Sequence, residues 1–164
     1  MSRALAAPML LWALLVGATA PAAAQSCMVS TAGSINFMTY NPASGAPTLA
    51  SAAVTLTCTN SGSGSLQRVA WNMLVSDGSS GDCKARAMPG ASESLNYNIY
   101  QNSIAGGVWG NLACGTFPAG QMTLTPGGGG NTRSVTNTLY GLIPAGQFVG
   151  AGAYTENLLL TISF

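Results

Sequence analysis

The sequence predicts an all-β sandwich held by disulfides, and three observations carry that reading. Beyond residue 24 no stretch longer than a few residues keeps a helical period, whereas short segments alternate apolar and polar side chains between clusters of Gly, Ser, Asn and Pro. The chain has 164 residues and four cysteines, enough for one domain with a single core and two cross-links. It also finishes on a strand pattern: in "YTENLLLTISF", Tyr154, Leu158, Leu160, Ile162 and Phe164 share one parity, and Thr155, Asn157, Thr161 and Ser163 the other, with Leu159 the exception. Globular chains usually end in a few frayed polar residues. Here the apolar face runs to the last side chain, so something must cover it.

The elements follow in order. Arg3, the apolar run Met9 to Val16 and the small residues Ala22 and Ala24 read as a signal peptide over 1–24, cleaved after Ala24, leaving a single domain over 25–164. The apolar run is too short to span a bilayer, which takes about 20 residues, and no later segment comes closer, so no membrane-spanning segment is expected. No Leu-containing lipobox precedes Cys27. Strands are expected at Ser34 to Phe37, Ala53 to Thr59, Arg68 to Val75, Leu95 to Gln101, Gln121 to Leu124, Ser134 to Leu142 and Tyr154 to Phe164. Within them Val54, Leu56 and Cys58 share a face, as do Val69, Trp71, Met73 and Val75, and as do Leu95, Tyr97 and Ile99, and these form the expected core. The connections "NPASGAP", "SGSGS", "DGSSGD", "PGGGGN" and "IPAGQFVGAG" carry ordinary turn chemistry.

Charge and chemistry exclude much. Only 5% of residues are charged. After residue 24, Arg68, Lys84, Arg86 and Arg133 balance Asp77, Asp82, Glu93 and Glu156, so there is no basic patch for nucleic acid or anionic lipid. A chain so poorly charged is weakly protected against self-association, which assembly would relieve. Histidine is absent, no serine sits in a Gly-x-Ser-x-Gly elbow, and "PGGGGNT" lacks the Gly-Lys-Ser/Thr ending of a phosphate loop. "DGSSGD" has too few carboxylates for calcium and reads as a turn, while Trp71 and Trp109 read as core and strand-end anchors. No enzyme, cofactor or metal is expected. The cysteines Cys27, Cys58, Cys83 and Cys114 include no CxxC pair; in an exported chain they imply two disulfides, and spacing leaves three connectivities open.

"LNYNIYQN" followed by "VWGN", then "LYGLIPAGQFVGAGAYTENLLLTISF", with "RAM" at Arg86 to Met88 and "INFMTYNP" near the start, resembles the spore coat protein U-like domain family, which includes subunits of archaic chaperone-usher pili. The resemblance covers Cys27 to Phe164. Met38 stands where a Gly is common, and Glu156 where an Asp is. The resemblance implies an immunoglobulin-like sandwich missing its final strand, with a hydrophobic groove filled first by a periplasmic chaperone and then by a neighbouring subunit. Together with strand placement it implies the pairs Cys27 with Cys58 and Cys83 with Cys114. It implies a groove lined by Ile35, Phe37, Leu158, Leu160, Ile162 and Phe164, with chaperone, usher and neighbouring pilus subunits as partners on the way to the cell surface. Only Gln25 and Ser26 precede Cys27 after the expected cleavage, which suits a subunit that receives a strand, at a tip or terminal position. The alternatives are a self-sufficient secreted surface or coat protein with a closed sandwich and, more remotely, a secreted ligand-binding module.

Overall fold

The structure, a computed structural model, describes residues 25–31, 34–62, 64–126 and 131–164. The expected signal peptide and the centres of the "SGSGS" and "PGGGGN" loops lie outside the described residues. Nine strands are described: β1 (Gln25–Thr31), β2 (Thr48–Asn60), β3 (Gln67–Val75), β4 (Ala87–Pro89), β5 (Ser94–Asn96), β6 (Asn98–Gln101), β7 (Ala119–Leu124), β8 (Asn131–Ile143) and β9 (Leu160–Ser163).

They form two layers. One sheet has the order β1-β2-β8-β6, the other β7-β3-β9, and β4 and β5 make a separate hairpin. All pairings between these strands are antiparallel. The first sheet has the A-B-E-D order of an immunoglobulin-like sandwich, and β3 and β9 take the places of C and F in the second. Alternation sets which side chains fill the space between. Val54, Leu56 and Cys58 of β2 meet Val69, Trp71, Met73 and Val75 of β3, joined by Leu95, Tyr97, Ile99, Met122 and Leu124, all buried. On the outer face of the first sheet Thr55, Thr57 and Thr59 pair hydroxyl to hydroxyl with Thr136, Ser134 and Thr132 at 2.8 to 2.9 Å. Such cross-strand pairs stabilise a sheet by roughly 0.2–1 kcal/mol each.

The expected strands differ in extent: β2 begins at Thr48 rather than Ala53 and β8 at Asn131 rather than Ser134, and three others differ more in kind. The first ladder lies at β1, ahead of Ser34 to Phe37; that later stretch forms no ladder, while Ile35 and Phe37 pack on the core and against Gly141 of β8. It ends at Met38, whose φ of 57° lies in the left-handed region that glycine occupies most readily. The segment Leu95 to Gln101 divides at Tyr97, whose N–H bonds the carbonyl of Arg86 at 3.0 Å in the β4–β5 register before Asn98 joins β8. The last segment joins a ladder only at β9, since β3 ends at Val75. Ahead of β9 the chain is held by single bonds, Leu159 N–H to Ser76 Oγ and Ser76 N–H to Leu159 O, each 3.0 Å.

One end of the sandwich is closed by a polar knot. Arg86 is fully buried and donates five hydrogen bonds, at 2.7 to 3.1 Å, to the carbonyls of Ser76, Cys83 and Trp109 and to Asn98 Oδ1. Burial pulls its pKa below the ordinary value, and the charges of nearby acids, Asp77 and Glu156 among them, oppose that. A guanidinium keeps its charge regardless. Trp109, fully buried beside it, donates Nε1–H to Met73 O at 2.8 Å, and the Cys83–Cys114 disulfide crosses the same loops.

Candidate functional site: a groove along the last strand

Strand β9 pairs with β3 along one edge, and no strand among the described residues lies along the other. The hydrogen-bond phase shows which groups that open edge presents. Met73 and Val75 of β3 donate their N–H groups away from β9, to Pro118 O and Gly110 O at 2.9 Å. The bonded pairs with β9 are therefore Asn72 with Ser163 and Leu74 with Thr161, and the N–H and C=O of Leu160 and Ile162 point to the open edge.

Side chains line the space beneath. Glu156, Leu158, Leu160 and Ile162 are half-buried, whereas the alternate residues Thr155, Asn157, Leu159, Thr161 and Ser163 are exposed. Across from them stand Thr31, Ile35 and Phe37, and the floor is made by Val54, Val75, Met88, Tyr97, Ile99 and Leu139. Together they enclose a cavity of about 300 Å³. Gly141 permits one wall to close up, because a Cβ there would come within 2.5 Å of Phe37 Cζ and 3.0 Å of Ile35 Cγ2. Phe37 in turn meets the Tyr97 ring edge-on, with centroids 6.1 Å apart.

The groove continues past the cavity as an open shelf. Continuing the register by one place sets Phe164 opposite Trp71 on the inward face, yet Phe164 is 61% exposed. Val29 lies opposite Leu56 and shares its face; Leu56 is wholly buried, but Val29 is 45% exposed. Two apolar side chains thus share the inward parity but are only partly covered by the described residues. The Trp71 indole N–H, buried at this end, has no hydrogen-bond partner among the described residues.

The opposite end is polar. Glu156 shares the apolar parity, and its carboxylate accepts from Ser79 N–H, from Ser79 Oγ at 2.6 Å and from the Tyr97 hydroxyl. Burial, reinforced by that hydrogen bond and by the charge of Glu156, holds the Tyr97 phenol protonated well above its ordinary range.

Of the residues expected to line a groove, Ile35, Phe37, Leu158 and Leu160 surround the cavity, Ile162 packs on the core beside it, and Phe164 stands at the open end. Sequence reasoning missed Val29 and Thr31, although the alternation Cys27, Val29, Thr31 carried the signal, and missed that Glu156 sits on the inward parity. The disulfides join Cys27 to Cys58, register partners on β1 and β2, and Cys83 to Cys114. Asp77 lies close to both sulfurs of the second bridge, but the disulfide occupies those sulfurs and Asp77 already accepts from Asn111 Nδ2 at 2.6 Å, so the trio is poorly suited to a metal. No described helix is long and apolar enough to cross a membrane.

The fold has a solved counterpart. A crystal structure of a CsuC-CsuE chaperone-tip adhesion subunit pre-assembly complex, from archaic chaperone-usher Csu pili of Acinetobacter baumannii, matches with a TM-score of 0.50 and 18% identity. The match covers 85% of this chain and 40% of that one, so the present chain spans well under half of that neighbour. No curated protein matches in sequence. The family model described as Spore Coat Protein U domain matches residues 13–161, which takes in both disulfides, the Arg86 knot and the groove walls up to Thr161. The chain belongs to the Spore Coat Protein U domain family.

Proposed function

We propose that this protein is a structural subunit of a surface pilus or coat, and that its groove receives a β-strand from another protein. The observation that carries the reading is the edge of β9. Among the described residues it presents N–H and C=O groups of Leu160 and Ile162 with no strand partner, above an apolar trough whose outer residues, Val29 and Phe164, remain 45% and 61% exposed. A free edge over an apolar face is an aggregation hazard that a native protein must cover. Strand addition does this: the ladder supplies affinity, and alternate side chains entering the trough supply specificity. In this reading residues 1–24 direct export and the domain over 25–164 travels through the periplasm. A chaperone fills the groove first, and a neighbouring subunit replaces it at an usher. The tip or terminal place is proposed by analogy with the tip subunit in the neighbouring structure. The function is binding and assembly, with no catalytic step.

Co-expression with a candidate periplasmic chaperone tests this. The expected result is a soluble one-to-one complex. The double substitution Leu160→Asp, Ile162→Asp should abolish it, because each buried aliphatic side chain is worth roughly 1.5–3 kcal/mol. Thr161→Asp, on the outward face, should leave it intact. A wild-type chain that is soluble and monomeric without any partner would favour a closed, self-sufficient sandwich instead.

A further inference from the structure

Resting on that strand-acceptor reading, we infer that Glu156 sets the register of the incoming strand and selects its side chain at the closed end of the groove. The inward residues of the final segment, Glu156, Leu158, Leu160, Ile162 and Phe164, stand at every second position. Four are apolar and the fifth is a carboxylate. An incoming strand therefore meets four apolar places and then a negative charge.

That charge is held where a strand would reach it. Glu156 lines the cavity alongside Leu158 and Tyr97. Its three hydrogen-bond donors, the Ser79 N–H, the Ser79 hydroxyl and the Tyr97 hydroxyl, are all neutral. Oε2 accepts from Tyr97 alone and keeps a lone pair for another donor. The Gly78 backbone lies close against this carboxylate, since a Cβ there would come within 2.5 Å of Glu156 Oε1. An apolar side chain pressed against this group strips its remaining hydration without compensation, and an acidic one adds like-charge repulsion. A hydroxyl, amide or ammonium satisfies it. The groove is thus matched to a strand with four alternating apolar residues followed, two positions on, by a hydrogen-bond donor such as Thr or Lys.

The test uses fluorescent synthetic peptides that carry four alternating Val, Ile or Leu residues and one variable place at the Glu156 end, made in both chain directions. Binding to the full-length exported protein, released from its chaperone, is followed by anisotropy. Peptides with Thr or Lys at the variable place should bind about tenfold more tightly than those with Leu, and those with Glu should bind weakest. Glu156→Gln should erase the penalty on Glu while still admitting Thr. Peptides that all bind equally well to the wild type would overturn the inference while keeping the acceptor groove, and would leave Glu156 as a staple for the Ser79 loop only. Failure of every peptide to bind would overturn the groove reading itself, and this inference with it.

Discussion

The knot around Arg86 and the groove beside β9 lie in one sandwich and follow opposite rules. At the knot a buried charge meets five oxygen contacts, a tryptophan N–H has its carbonyl and a disulfide ties the loops. At the far end of the groove another tryptophan N–H, that of Trp71, has no partner among the described residues, Val29 and Phe164 share the inward parity yet stay 45% and 61% exposed, and the backbone groups of Leu160 and Ile162 point to an edge along which no described strand lies. The contrast teaches where stability resides. Polar satisfaction at the knot holds the sandwich in shape, and the groove is the part that, in the function proposed above, a partner strand would complete.

The largest effect should come from breaking the knot. Arg86→Ala leaves the carbonyls of Ser76, Cys83 and Trp109 buried without their charged donor, and each such bond contributes roughly 1.5–3 kcal/mol. We expect a loss of about 3 kcal/mol or more in denaturant unfolding, read on the protein in complex with its chaperone, or no soluble protein at all. A variant with near wild-type stability would show that the knot is not the anchor.

The disulfides sharpen the comparison because each closes a loop with a sequence separation of 31, so their chain-entropy contributions match, at roughly 2–4 kcal/mol. Any difference between them reports native surroundings. Replacing Cys83 and Cys114 by Ala opens the knot, whereas replacing Cys27 and Cys58 unclamps β1, which is exposed along most of its length, and trims one buried side chain, Cys58, from the core. The first pair should cost more in unfolding free energy. The second should mainly speed amide exchange in Gln25–Thr31. Equal costs with no change in β1 exchange would contradict this division.

A smaller effect is expected at the groove wall. Gly141→Ala pushes a methyl group against Phe37 and Ile35, and overpacking of this kind typically costs 1–3 kcal/mol. Because those two side chains line the groove, strand capture should weaken along with stability. Lost stability with unchanged peptide affinity would separate this wall from the site.

How much of this could be read from the sequence follows from what each pattern encodes. Period-2 alternation placed Val54, Leu56, Val69, Met73 and Ile99 in the core, because burial and pleat act locally. It misplaced ladder ends, because pairing depends on the partner's length: Tyr154 to Leu159 alternates in burial as β9 does but runs past the end of β3. Arg86 gave no periodic signal, since its role comes from carbonyls brought together by three separate loops and strands. Glu156 was legible by parity and was overlooked among leucines. The resemblance supplied the idea of a groove along the final strand; its depth and the partial exposure of Val29 depend on how the two sheets pack, which no local pattern encodes.

The central claim, that the edge of β9 is left for another chain, is tested most directly by residue-resolved amide hydrogen exchange across Leu160–Ser163. In the chain free of partner, Thr161 and Ser163, bonded to β3, should be protected, while Leu160 and Ile162 exchange like solvent-facing amides. On strand capture these two should gain protection together and Thr161 should change little. Protection of Leu160 and Ile162 in the isolated chain would mean that the edge is already paired, and would contradict the account.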